Sequence, residues 1–249
     1  MWKLLQLRRE QGRQAIPDLR AARPEGFRGL PVIATTPCAD GCRACVDVCP
    51  TAAITAPPVR LDLGRCTLCG ACAPACPTGK IAFTPEVAMA ASRRDDLVVT
   101  EGPPRVPEVD IGAALRRRFG RSLKLRQVSA GGCNGCELEL NALANVNFDI
   151  GRHGIEWVAS PRHADALVVS GPITRTMADA VQLAWDAMAE PRFVIAVGAC
   201  AISGGLYDGA PGVDRGFFDR QPPLIYVPGC PPHPLTIARA LLAALARER

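Results

Sequence analysis

The sequence is short of aromatic rings, histidines and long apolar runs, and each shortage removes a class of function. Aromatic residues are 5% of the chain and no stacking motif is built from them, so a nucleic-acid partner is not expected. His153, His163 and His233 are too few and too scattered to form a site of their own. No G-x-G-x-x-G follows a strand-like run, and the Gly-rich stretch 198–216 carries no phosphate loop, so no nucleotide is expected, nicotinamide included. No apolar run approaches the length of a membrane span, and WKLLQL (2–7) is too short and badly flanked for a secretory signal. The expected setting is cytoplasmic, where thiols stay reduced.

Cysteine, by contrast, is abundant. Twelve cysteines in a reducing compartment call for metal, and they divide into three groups of four. The formal charge of +5 is concentrated in residues 1–30, where seven Lys/Arg face only Glu10, Asp18 and Glu25. This basic arm suits an acidic surface, either a partner protein or anionic lipid. Its start, WKLLQLRR, reads as a membrane-surface helix, a helix packed on a partner or a frayed terminus. Pro17, Pro24 and Pro31 with Gly26 and Gly29 make the remainder extended.

Residues 31–84 form a small module built on an internal repeat. CRACVDVCPTAAI (42–54) overlays CGACAPACPTGKI (69–81) position for position, and Cys66 completes C-x2-C-x2-C-x3-C-P in the second copy. In this spacing three close cysteines wrap one cubane, while the fourth, before proline, reaches the other cluster. The assignment that follows is Cys38, Cys42, Cys45 and Cys76 on one 4Fe-4S cluster, and Cys66, Cys69, Cys72 and Cys49 on a second. Cys38 to Cys42 departs from the pattern, with Asp40-Gly41 lengthening the loop to C-x3-C. CxxC pairs also bind zinc, but zinc ribbons need no three-cysteine run closed by Cys-Pro. This half resembles a bacterial-type two-cluster ferredoxin of α+β fold. With GFRGLP (26–31) before the first cysteine, it looks like the two-cluster subunits of group 4 nickel-iron hydrogenases and of respiratory complex I.

Residues 85–122 read as a linker. PEVAMAASRR (85–94) predicts a short helix, Pro103, Pro104 and Pro107 a stiff connection, and IGAALRRRFG (111–120) a helix stopped by Gly120. Arg116, Arg117, Arg118 and Arg121 are a charge run that is either solvated or a docking face.

Residues 123–249 alternate strand-like and helix-like segments. KLRQVS (124–129), GIEWVAS (154–160), ADALVVSG (164–171), RFVIAVGA (192–199) and LIYV (224–227) predict a parallel, flavodoxin-like α/β sheet. ELELNALAN (137–145), the stripe Met177, Val181, Ala184, Trp185 and Met188, and residues 234–247 predict helices. Cys133 and Cys136, Cys200 and Cys230 each follow a strand, so the topology brings them to one carboxyl edge as a metal site. CNGC, GAC and PGCPP in this order, with SPRHADALVVSGPIT (160–174), resemble the small subunit of group 4 nickel-iron hydrogenases and the homologous cluster subunit of complex I.

That resemblance implies a third 4Fe-4S cluster on Cys133, Cys136, Cys200 and Cys230, beside a catalytic large subunit. Complex I members carry adjacent cysteines where this chain has Cys133-Asn-Gly-Cys136, which favours the hydrogenase side. The helices after Cys136 and Cys230 would aim their N-termini at the cluster. Glu139 lies near it as either a proton relay or a solvated helix acid. All twelve cysteines are then iron ligands, and hydrogen activation must occur on another polypeptide. The leading expectation is a non-catalytic electron-transfer subunit of an oxidoreductase: a membrane-associated hydrogenase or formate hydrogenlyase-like complex, peripheral on the inner face of the membrane with membrane subunits as partners. The alternatives are a subunit of a complex I-like NADH:quinone oxidoreductase and a free-standing ferredoxin-type carrier.

Overall fold

In the computed structural model, which describes residues 2–245, the chain opens with helix α1 (Trp2–Gln11), none of whose side chains is buried. The rest of the basic arm is an extended strap fastened to the body. Ile16 N–H donates to the Asn147 carbonyl at 2.9 Å, and Leu19 is buried to 1% exposure. The Arg20 guanidinium donates to Leu242 O, and Arg239 donates to Arg20 O.

Six short elements make the ferredoxin-like module: β1 (Pro31–Ile33), α2 (Ala44–Asp47), β2 (Ile54–Thr55), β3 (Arg60–Asp62), α3 (Cys72–Ala75) and β4 (Ile81–Phe83). β1 pairs antiparallel with β4, and β2 with β3. The repeat is visible in the backbone: the equivalent residues Gly41 and Leu68 have φ of 67° and 55°, and the equivalent Ala52 and Gly79 have φ of 49° and 61°. Four-residue helices do not hold themselves together in water. Here they are held by packing of the cysteines themselves, since Cys45, Cys66 and Cys72 are core residues.

The stretch 85–122 differs from its reading as a helix and linker. No helix forms over 85–91; the backbone is extended, and Val87, Met89 and Ala91 are fully buried at alternate positions. Ala91 exchanges hydrogen bonds with Tyr226, donating to its carbonyl at 3.1 Å and accepting from its N–H at 2.9 Å. The open edge of the large sheet offers backbone partners that a local helix would forgo, so tertiary pairing overrides local propensity. The next strand, β5 (Val98–Thr100), adds antiparallel to β3, and α4 (Gly112–Phe119) then runs up to Gly120. Arg117, Arg118 and Arg121 are exposed on and after this helix, while Arg116 pairs with Asp110.

The remaining chain alternates β6 (Leu123–Ser129), α5 (Gly135–Ala142), β7 (Ile155–Trp157), β8 (Ala166–Ser170), α6 (Arg175–Asp186), β9 (Phe193–Val197), α7 (Ala199–Ser203), α8 (Gly216–Arg220), β10 (Ile225–Val227) and α9 (Pro234–Leu245). Residues 246 and 247 of the expected last helix lie outside the described residues. The five strands are parallel in the order β10-β9-β8-β6-β7. This is the flavodoxin-like doubly wound order, with its switch point between β6 and β8. Every residue of β8 and β9 is buried, as continuous apolar runs require when helices cover both faces.

One of the two hydrophobic clusters spans both modules. Leu61, Leu63, Met89 and Val99 pack in the same cluster as Leu167, Val169, Ile202 and Phe217. At the junction Gly64 is needed for close approach, because a Cβ there would sit 2.7 Å from the Ile202 methyl and 2.8 Å from the Arg94 guanidinium carbon. Arg94 grips Asp62 with two hydrogen bonds of 2.8 and 2.6 Å, and Arg65 pairs with Asp208 across the joint.

Candidate metal centres

The cysteines of the repeat gather in two groups, each containing one thiol from the other copy. Cys38, Cys42, Cys45 and Cys76 line one small cavity with Val59, Thr78 and Lys80. Burial pushes the Cys45 thiol up, and the nearby Cys76, Cys38 and Cys42 push it further. In the second group burial pushes Cys66 up to about 12, with Cys72, Cys49 and Cys69 adding to it. Cys72 is pushed up to about 11, first by burial and then by Cys69.

The two Cys-Pro-Thr segments present matching donors to sulfur. Ala53 N–H donates to Cys49 Sγ at 3.2 Å, and its repeat equivalent, Lys80 N–H, donates to Cys76 Sγ at 3.3 Å. The Thr51 hydroxyl lies 3.9 Å from Cys49 Sγ, and the Thr78 hydroxyl 3.5 Å from Cys76 Sγ. Leu68 N–H adds a 3.3 Å bond to Cys66 Sγ. At Cys76, burial raises the thiol, but the Thr78 hydroxyl and the N–H groups of Lys80, Thr78 and Ile81 outweigh it and hold the pKa below the ordinary thiol value.

At the carboxyl edge of the sheet, Cys133 lies in the loop after β6, Cys136 in the first turn of α5, Cys200 in α7 just beyond β9, and Cys230 in the loop past β10. Their mutual influence shows that they are neighbours. Cys136 is pushed up to about 12 by burial, then by Glu137, Cys200, Cys230 and Cys133. Cys200 is pushed up to about 11 by burial and then by Cys230 and Cys133. Gly198, at φ +91°, leaves room for this group, since a Cβ there would stand 2.6 Å from Cys136 Sγ. Cys133 is exposed, so the group opens to the surface at that sulfur.

These groups fit iron-sulfur clusters. Several thiols in each are raised by burial and mutual repulsion, a cost that bound iron would relieve by taking them as thiolates. Among the described residues no three His, Cys, Asp or Glu side chains are gathered closely enough to hold a single metal ion.

Two residues at these centres, Glu137 and Arg215, were not singled out in the sequence. Glu137 is 7% exposed and accepts 2.7 Å hydrogen bonds from both the Ser129 and Ser170 hydroxyls. It shares the inward stripe of α5 with buried Leu140, one turn further on, which is the signal that could have found it. Glu139 is half-buried, and burial alone raises its carboxyl. Arg215 donates to the carbonyls of Cys200, Ala201 and Ile202, closing the end of α7; no local pattern marks it. His233 is half-buried against Phe27, its ring centroid 5.0 Å away, and its Nδ1 accepts from Leu235 N–H. The α9 terminus is thus partly capped by His233 rather than wholly directed at the thiols.

A cysteine-rich ferredoxin repeat fused to a flavodoxin-like sheet with four more thiols at its edge defines an iron-sulfur protein, and comparison with known proteins gives the family. The 4Fe-4S dicluster domain matches residues 38–80, and the family described as NADH ubiquinone oxidoreductase, 20 Kd subunit, matches residues 133–244. The chain is 37% identical over 135 residues to the probable membrane-bound hydrogenase subunit mbhJ of Pyrococcus furiosus, a match covering 54% of this chain and 81% of that protein. It is 40% identical over 133 residues to formate hydrogenlyase subunit 7 of Escherichia coli, covering 53% of this chain and about half, 52%, of the relative. The NADH-quinone oxidoreductase B subunit of Citrifermentans bemidjiense is 38% identical over 117 residues, covering 46% of this chain and 68% of the relative. A chain of the archaeal membrane-bound sulfane sulfur reductase structure superposes with TM-score 0.45 at 26% identity, over 52% of this chain and 73% of that one. The chain belongs to the NADH ubiquinone oxidoreductase 20 Kd subunit family, and it carries a 4Fe-4S ferredoxin domain ahead of the family domain.

Proposed function

We propose that this chain is the electron-transfer subunit of a membrane-associated group 4 nickel-iron hydrogenase or formate hydrogenlyase-like complex, carrying three 4Fe-4S clusters. Cys38, Cys42, Cys45 and Cys76 would hold the first, Cys66, Cys69, Cys72 and Cys49 the second, and Cys133, Cys136, Cys200 and Cys230 the third. When bound, such clusters supply one-electron redox chemistry without making or breaking bonds to a substrate. The chain's own groups do the rest: the N–H and hydroxyl donors of 51–53 and 78–80 favour thiolate, and the shared core buries Cys45, Cys66 and Cys72 and fixes the two modules against each other.

The observation that supports this reading most is that the ferredoxin-type thiols pack in a core shared with the sheet domain, which carries four more thiols at its edge, Cys133 among them exposed. On α5, the helix that carries Cys136, Leu138 is 62% exposed, one apolar contact point for a large catalytic subunit. The CxxC of Cys133 and Cys136 favours hydrogenase over a complex I-like quinone reductase, the second reading. No helix among the described residues is long and apolar enough to cross a membrane, and the exposed α1, with Trp2 and Leu4 beside Lys3, Arg8 and Arg9, suits peripheral attachment.

The test is composition and activity together. The complex isolated anaerobically through this chain is expected to contain about twelve iron atoms with matching sulfide per copy of the chain, and about one nickel in a large subunit. It should reduce an artificial dye with hydrogen. A nickel-free complex that reduces quinone would overturn the hydrogenase assignment, and zinc without sulfide would overturn the clusters themselves.

A further inference from the structure

The two copies of the ferredoxin repeat are alike in backbone, in N–H donors and in hydroxyl donors, but they differ in charge at one buried position. Residue 53 in the first copy is alanine; residue 80, its equivalent in the second, is lysine. The backbone N–H of each bonds the Cys-Pro sulfur, so the difference is confined to the side chain. Lys80 is buried to 3% exposure, donates to Thr36 O at 2.7 Å and pairs with Glu101 Oε1 at 2.7 Å. Because the Cys-Pro cysteines are exchanged between copies, this cation stands beside Cys38 and Cys76.

Resting on the cysteine assignment above, we propose that Lys80 makes the two ferredoxin-type clusters unequal, the one on Cys38, Cys42, Cys45 and Cys76 being the easier to reduce. Each reduction adds one electron and hence one negative charge to the centre. A fixed cation in a low-dielectric interior favours that charge, and the other centre has only the Ala53 methyl at the equivalent place. Glu101 leaves the pair neutral overall but does not cancel its field at the sulfurs. Both ends of the pair line the outer cavity beside Cys38 and Cys42, but only Lys80 also lines the cavity that Cys38, Cys42, Cys45 and Cys76 enclose. The carboxylate end is also the more exposed, at 25%. A cation lies near the second centre too, since the Arg28 side chain covers Gly70, but Arg28 is exposed and water screens it.

The experiment is a redox titration of the intact complex followed by the paramagnetic signals of the reduced clusters, in wild type, Lys80→Met, Lys80→Arg and Glu101→Gln. The ferredoxin pair should show two reduction steps. Lys80→Met should move the higher step down, changing the ratio of reduced to oxidised centre at fixed potential on the order of tenfold. Glu101→Gln should move the same step up, Lys80→Arg should leave it near wild type, and the lower step should stay put. Shifts of the two steps together, shifts of the same sign in Lys80→Met and Glu101→Gln, or no shift would overturn the proposal. If Lys80→Met loses iron, Glu101→Gln alone decides: a higher step supports it and an unmoved one sinks it. Iron and sulfide in the wild type are read first, so a failure of the cluster assignment shows itself before any variant is compared.

Discussion

The two cysteine-bearing modules hold their thiols by opposite means. In residues 31–84 the cysteines are close in sequence, the secondary elements are two to four residues long, and Cys45, Cys66 and Cys72 are themselves part of the core. In residues 123–245 the cysteines lie on three separate segments, and a five-stranded sheet with its own core brings them to one edge. A site that builds its fold depends on what binds there; a site borrowed from a finished fold does not.

The sharpest way to break this contrast is to strip the iron with oxidant and chelator. Hydrogen exchange is expected to show residues 31–84 losing their protection almost entirely, while β8 and β9 keep theirs. Equal loss in both modules, or in neither, would erase the distinction. Replacing single ligands probes the same contrast more finely. Cys230→Ser should cost about four of about twelve iron atoms and leave the ferredoxin pair intact. Cys49→Ser should instead damage the centre on Cys66, Cys69 and Cys72, and iron analysis with spectroscopy would show which centre is gone. Loss of all iron in Cys230→Ser would mean that the modules are not separately ligated.

Smaller effects test the joint between them. Phe217 is 2% exposed in the core shared by both modules, so Phe217→Ala should lower unfolding free energy by about 3–5 kcal/mol in denaturant titration. Both modules should be affected together; a change confined to one would argue against a common core. Deleting residues 2–11, which bury nothing, should leave iron content unchanged yet release the complex from membranes, with high salt doing part of the same. Unchanged sedimentation with membranes would reject that role. The least effect is expected from Arg23→Ala, which breaks a partly exposed pair with Glu86 and should cost no more than about 1 kcal/mol.

Local chemistry was legible in the order of residues alone. Three closely spaced cysteines, closed by Cys-Pro and met again in a second copy, leave little freedom, because ligand reach is set by covalent distances along the chain. The five strands were legible for a similar reason: apolar runs such as ALVVS and FVIAV have few other uses than a buried parallel sheet. Whatever depends on distant parts meeting was settled by packing instead. Residues 85–91 became an extended edge because Tyr226 offers backbone partners, not because of their own propensity. Glu137 rather than Glu139 is the buried acid because α5 turns that face toward Ser129 and Ser170. Arg215 and the Lys80 to Glu101 pair owe their burial to neighbours from other elements, well separated from them along the chain. Propensity and ligand spacing are short-range properties that a chain carries with it, whereas desolvation of a charge is fixed only when the surfaces around it close.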